Sequence, residues 1–119
     1  MLPADPLCRV LVVDLSTRSF RVEEHPELFA ERLGGTGAAI RLLEEHVPAG
    51  ADPLGPDNAF VLAVGALTGH YPLMSKTVAL FKSPLTGDLG ESHCGGRSAI
   101  ALRMAGYGAL VVKGRRDLP

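Results

Sequence analysis

The sequence predicts an α+β fold, on three observations. Six short stretches read as strands, the first of them rich in β-branched residues and bounded by Pro and Ser. Three stretches with helical apolar spacing fall between them at irregular intervals. The order of the two types lacks the regular strand–helix alternation of a doubly wound sheet, and segregated strands and helices favour α+β.

The elements follow in order. Cys8–Leu15, "CRVLVVDL", reads as a strand between Pro6 and Ser16. Ser16–Ser19 is a polar break of hairpin length, and Phe20–Glu24 alternates apolar and polar as an edge strand with one wet face does. Pro26–Leu33 is a short helix with proline favourably placed in its first turn. "GGTG" at 34–37 stops it, and Thr36 is a candidate N-cap for a helix running to about Val47. On that helix Ala39, Ile40, Leu43 and Val47 share one face, and Arg41, Glu44 and Glu45 the other. Ala59–Val64 is apolar on both faces and reads as a buried strand. After the loop "GALTGHYPLMS", Lys76–Phe81 and Leu89–His93 read as strands around the turn "KSPLTG". Gly96–Ala105 is a helix ended by Gly106, and Gly108–Lys113 a last buried strand.

The 119 residues make one modest domain, with 46% hydrophobic residues to build a core. A net charge of −1 gives no basic surface for nucleic acid and no polybasic membrane anchor. The longest apolar run, residues 59–64, is too short to span a bilayer, and the N-terminus lacks the pattern of a signal peptide. The expectation is a cytoplasmic protein whose two cysteines, Cys8 and Cys94, stay reduced. Without a CxxC pair they do not form a zinc or iron–sulfur motif.

The stretch most suggestive of chemistry is "ESHCGGR", Glu91–Arg97, at a strand-to-helix junction. Two readings of Gly95-Gly96 stand side by side. Glycine supplies a turn that needs positive φ, or it lets an anion approach the unpaired N–H groups of a helix start. Ser92, His93 and Arg97 would add hydrogen bonds or charge to such an anion site. His93 and Cys94 are neighbours on a strand, so their side chains diverge and make a poor nucleophile pair. His25, His46 and His70 have no partners at ligand spacing and read as surface or turn residues. The "GGTG" stretch lacks the GxGxxG spacing and the Walker lysine and reads as a helix break with a cap. Lys76 and Lys82 are separated by an even number and share one strand face. They are either solvated or meet an anion together.

Several of these pieces in register resemble a known family. "VLVVDLST", "ERLGGTGAAIRLL", "GALTG", "KSPLTG", the glycine pair and "MAGYGALVVKG", from about Cys8 to Gly114, are similar to the N-terminal domain of the aldehyde ferredoxin oxidoreductases. The resemblance implies one half of that domain, a mixed and mainly antiparallel sheet with two main helices. It also implies a tungsten (or molybdenum) bis-pterin cofactor whose phosphates are bridged by magnesium. On this likeness Lys76, Ser92, His93, Cys94, Gly95, Gly96 and Arg97 are the cofactor-binding residues, and His93 is a metal residue through its backbone carbonyl to the magnesium. The implied reaction takes an aldehyde to a carboxylic acid and passes electrons through a 4Fe–4S cluster to ferredoxin or another acceptor. That cluster and the substrate pocket belong to parts of the family's enzymes outside this chain. His93 stands where asparagine is usual, Lys76 where arginine is usual, and "STRS" in place of a glycine-containing turn. Two readings follow. The chain is the cofactor-cradling segment of a larger enzyme, completed by the remainder of that enzyme or a partner subunit. Or it is a detached, non-catalytic assembly module that keeps the fold and acts through a partner or as a homo-oligomer.

Overall fold

The computed structural model describes residues 7–117. The expected bounding Pro6 and the two C-terminal residues lie outside that range. Nine elements follow in the order expected: β1 (Arg9–Asp14), β2 (Ser19–Glu24), α1 (Pro26–Arg32), α2 (Gly35–His46), β3 (Ala59–Val64), β4 (Thr77–Lys82), β5 (Leu89–Cys94), α3 (Arg97–Met104) and β6 (Ala109–Lys113). The six strands form one sheet in the order β2-β1-β6-β3-β4-β5. The β1–β6 pair is parallel and the other pairs are antiparallel. The last strand thus lies at the centre, between the N-terminal hairpin and the β3–β4–β5 meander.

The core sits between the sheet and α2. Strand alternation sends Val10, Val12, Val61, Leu80 and Val111 to one face, where all are fully buried. α2 packs on this face with Ala38, Ala39 and Leu42. Ile40, Leu43 and Val47 flank the seam and are only partly buried. The buried stripe is therefore rotated from the one expected. The helix also starts at Gly35 rather than after a Thr36 cap. Its N-cap is Gly34, with no side-chain cap.

β3 has the predicted bounds, but it is not buried on both faces. Phe60 is 41% exposed, and the second face continues through Phe20, Val22, Leu11, Leu62 and the Phe60–Phe81 ring pair. Phe20 is 74% exposed. An apolar composition on both faces identified the strand without showing which face the described residues would cover.

Two tight corners replace glycine with other residues. The β1–β2 turn is held by the Asp14 side chain, whose Oδ1 accepts from the Ser16 and Thr17 amides at 2.9 and 3.3 Å. This is the short polar side chain mimicking a backbone turn. Arg18 takes the left-handed conformation at φ 54°. α1 ends at Leu33, also left-handed at φ 58°, whose N–H returns to the Phe29 carbonyl. The helix therefore stops one residue before the glycines expected to stop it.

Candidate functional site

Where α2 begins, the chain runs close to the end of β3. Gly34 has φ 79° and ψ −160°, and a Cβ there would lie 2.5 Å from the Val64 carbonyl oxygen. Gly34 pairs with Gly65 in an isolated bridge, and the Ala66 amide donates to the Leu33 carbonyl at 3.2 Å. These contacts seat the start of α2 against the β3–β4 connection. A pocket of about 460 Å³ opens between them. Gly35 and Thr36 line it from α2, Gly65, Leu67, Thr68 and Leu73–Lys76 from the connection, and Ala63, Val78 and His93 from strands β3, β4 and β5.

Its electrostatics favour an anion. The first N–H groups of a helix lack intrahelical partners and carry the positive end of its dipole. α2 has no side-chain cap and no acidic residue in its first turn to neutralise them. Lys76 adds an exposed ammonium from just before β4. Glu91 is the opposing charge nearby. Its Oε1 accepts from the Thr36 hydroxyl at 3.4 Å and lies 2.5 Å from His93 Nε2. That carboxylate therefore ties α2 to β5 and orients the His93 ring.

The residues singled out in the sequence divide. Lys76 and His93 line the pocket together. Ser92 and Cys94 pair with Ala79 and Thr77, which puts them on the sheet face opposite His93. Gly95 and Gly96 form an exposed ledge at the start of α3, beyond the pocket's lining. Gly96 has φ 106°, so the backbone turn alone requires glycine there. A Cβ at either position would meet nothing within 4 Å, so the ledge also leaves room beside it. Arg97, exposed, is the first residue of α3. Both cysteines are free thiols.

Lys82 does not join Lys76. It ends β4 at the far end from the pocket, where its Nζ donates to the Ala51 carbonyl at 2.7 Å. Of the histidines read as surface or turn residues, His70 is exposed in the β3–β4 connection, whereas His25 and His46 are partly buried. His46 is largely buried at the end of α2, with Nε2 3.8 Å from Glu23 Oε2, and His25 Nε2 lies 3.0 Å from the same oxygen. Burial pushes the His46 imidazole below its ordinary value, against the charge of Glu23. Burial raises Glu23, but hydrogen bonds from His25 and Arg21 outweigh it and hold the carboxyl below the ordinary range. His70 meets Arg103, with its Nε2 3.1 Å from the guanidinium. Among the described residues no three His, Cys, Asp or Glu side chains are grouped to hold a metal ion. No helix among them is long and apolar enough to cross a membrane.

Gly35, Thr36, Thr68 and Glu91 were missed as site residues. The signal was present in part: "GGTG" has the same paired glycines before a helix as "CGGR". Which strand end the helix start abuts is decided by sheet order, which local patterns do not carry.

Comparison with known proteins agrees with the fold. The family profile described as aldehyde ferredoxin oxidoreductase, N-terminal domain, matches residues 10–119. The tungsten-containing aldehyde ferredoxin oxidoreductases of Pyrococcus furiosus and Thermococcus kodakarensis are each 40% identical over 113 residues, covering 93% of this chain and 19% of the relative. A solved structure, the active site complex BamBC of benzoyl coenzyme A reductase with 1,5 dienoyl-CoA, superposes with a TM-score of 0.87 at 30% identity. It covers 93% of this chain and 17% of that one. The chain thus spans about a fifth of the length of the curated relatives it matches.

Proposed function

The chain belongs to the aldehyde ferredoxin oxidoreductase family, as its N-terminal domain, and from that premise we propose that its pocket cradles part of a tungsten (or molybdenum) bis-pterin cofactor. One observation carries the reading. Lys76, His93 and the uncapped start of α2 converge on a single open pocket of about 460 Å³. The residues fit an anionic guest: a free ammonium, unpaired helix N–H groups, and a glycine ledge at Gly95-Gly96 with no atom in the way. Lys76 and the α2 amides would hold phosphate. His93 would offer its backbone carbonyl to a bridging magnesium, a donor that any residue type can supply. Ser92, Cys94 and Arg97 would reach only parts of the cofactor lying over the ledge and the opposite face. When bound, such a cofactor supplies two-electron redox chemistry at its metal, and this chain supplies position and electrostatics.

The similarity to proteins named for an aldehyde and for benzoyl coenzyme A supports assigning this segment to what those proteins share rather than to substrate choice. For the whole protein we propose that one aldehyde and one water give one carboxylic acid, two protons and two electrons. The electrons would leave through a 4Fe–4S cluster held outside this chain, for ferredoxin or another acceptor. The apolar face around Phe20 and Phe60 supports a partner, either the remainder of the enzyme or a separate subunit.

Metal and pterin content of the protein purified without oxygen tests the cradle. Gly95→Val fills open space, so the fold should persist. Lys76→Ala removes an exposed cation. Both variants should lose tungsten or molybdenum together with pterin and phosphate. Unchanged metal and pterin in both would dispose of the reading.

A further inference from the structure

We infer that Arg103 is a positioning residue for the pocket, acting through His70 to hold the β3–β4 connection that forms the pocket's longest wall. The inference rests on the cradle reading for its functional meaning, but its physical basis is separate. Residues 65–76 supply most of the lining, yet much of this connection is weakly held. Its own bonds are short-range: Thr68 N to Gly65 O at 3.1 Å, His70 N to Leu67 O at 3.1 Å, Gly69 N to Met74 O at 3.0 Å and Met74 N to Tyr71 O at 3.3 Å. Tyr71 and Leu73 are mostly exposed, so apolar burial contributes little to fixing them. Segments with few buried contacts open at low free energy.

The Gly34–Gly65 bridge anchors the start of the connection. Its middle and its end are tied to one helix. In the first turn of α3, the Ser98 hydroxyl bonds that of Thr77 at 2.9 Å. In the last turn, Arg103 places Nη2 3.1 Å from His70 Nε2. Arg103 is only 7% exposed, so its guanidinium is a fixed post rather than a swinging surface cation. A guanidinium only donates. His70 Nε2 is therefore the acceptor in this hydrogen bond. α3 is also the helix that begins at the glycine ledge, so this clasp sets the pocket wall and the ledge in one frame.

The test uses the full-length protein and substitutes His70, an exposed residue outside the pocket lining. His70→Leu removes the acceptor. His70→Gln restores one in its amide oxygen. Loss of a hydrogen bond to a charged group should raise amide hydrogen exchange across 65–76 by about tenfold in His70→Leu, with β3 and β6 unchanged. His70→Gln should return exchange close to the original. Tungsten or molybdenum and pterin content should fall and recover in parallel. Unchanged exchange in His70→Leu overturns the clasp, as does equal acceleration in both variants. If exchange follows this pattern while metal and pterin stay constant, the clasp orders this wall without positioning the cofactor and the inference is overturned, whereas the cradle reading falls only with the Gly95→Val and Lys76→Ala result.

Discussion

Replacing Gly34 with alanine should cost far more than the same replacement one residue later. Gly34 sits at φ 79° and ψ −160°, a region almost confined to glycine, where another residue costs about 1–3 kcal/mol. The added Cβ would also lie 2.5 Å from the Val64 carbonyl oxygen. That contact is with backbone at the end of β3 and cannot swing aside, so overpacking adds about 1–3 kcal/mol. The sum is about 2–6 kcal/mol, a large part of the 5–15 kcal/mol that holds a typical domain together. Gly35 is left-handed at φ 59° with nothing within 4 Å of a new Cβ. Gly35→Ala should therefore cost only the backbone term, about 1–2 kcal/mol. At this chain length each kcal/mol moves the thermal midpoint by roughly 4 °C. Thermal unfolding of both variants by circular dichroism, beside the parent, reads the difference directly. Equal midpoints for the two variants would refute the claim that α2 is seated by close backbone contact with β3.

Arg18→Gly should raise stability by about 1 kcal/mol by relieving the left-handed strain at φ 54°; a lowered thermal midpoint would mean that the arginine side chain does more for the turn than its backbone costs. Leu80→Ala should cost about 2–5 kcal/mol in urea unfolding, since Leu80 is fully buried between the sheet and α2; a loss below about 1 kcal/mol would show a loose core. Acid should destabilise the fold in two stages. The His46 value is lowered by burial, so its contribution is full above about 6.5 and is lost as pH falls from there through the folded value. Glu23 is held below 4.5, so its contribution is present above that pH and lost on further acidification. Thermal midpoints measured from pH 8 to about 3 should fall, and His46→Gln should flatten the upper part of the profile; a midpoint that rises on acidification across that range contradicts both signs. Phe20→Glu, on the open sheet face, should change folding stability by less than about 0.5 kcal/mol while weakening association with whatever covers that face, as read by sedimentation.

The strands were legible because their composition is local. β3 was bounded correctly from "AFVLAV", and β1 and β6 declared themselves by runs of valine and leucine. Helix starts were less legible. Thr36 has the chemistry of a cap, yet Gly34 holds that position because the chain must pass within contact of Val64, a tertiary demand that propensity does not see. Arg18 and Leu33 took left-handed corners where glycine would be expected, since flanking hydrogen bonds outweigh a modest steric cost. Lys76 and His93 were singled out first as candidates for an anion site and again by family likeness, and both line one pocket. Their companions Gly35, Thr36 and Thr68 were not found, because strands distant in sequence bring them there. Glu91 hid within a stretch whose histidine and glycines drew the attention.

The position of β6 has a consequence for how the protein is made. No ladder joins β1 to β3, since Ala109–Lys113 lies between them. Until that stretch leaves the ribosome, the nascent polypeptide holds two incomplete pieces, each with a raw edge waiting for the same late arrival. Any delay there leaves two sticky seams that a neighbouring chain could zip onto. Of the six strands, the last to be synthesised is the one that turns two half-sheets into a single body.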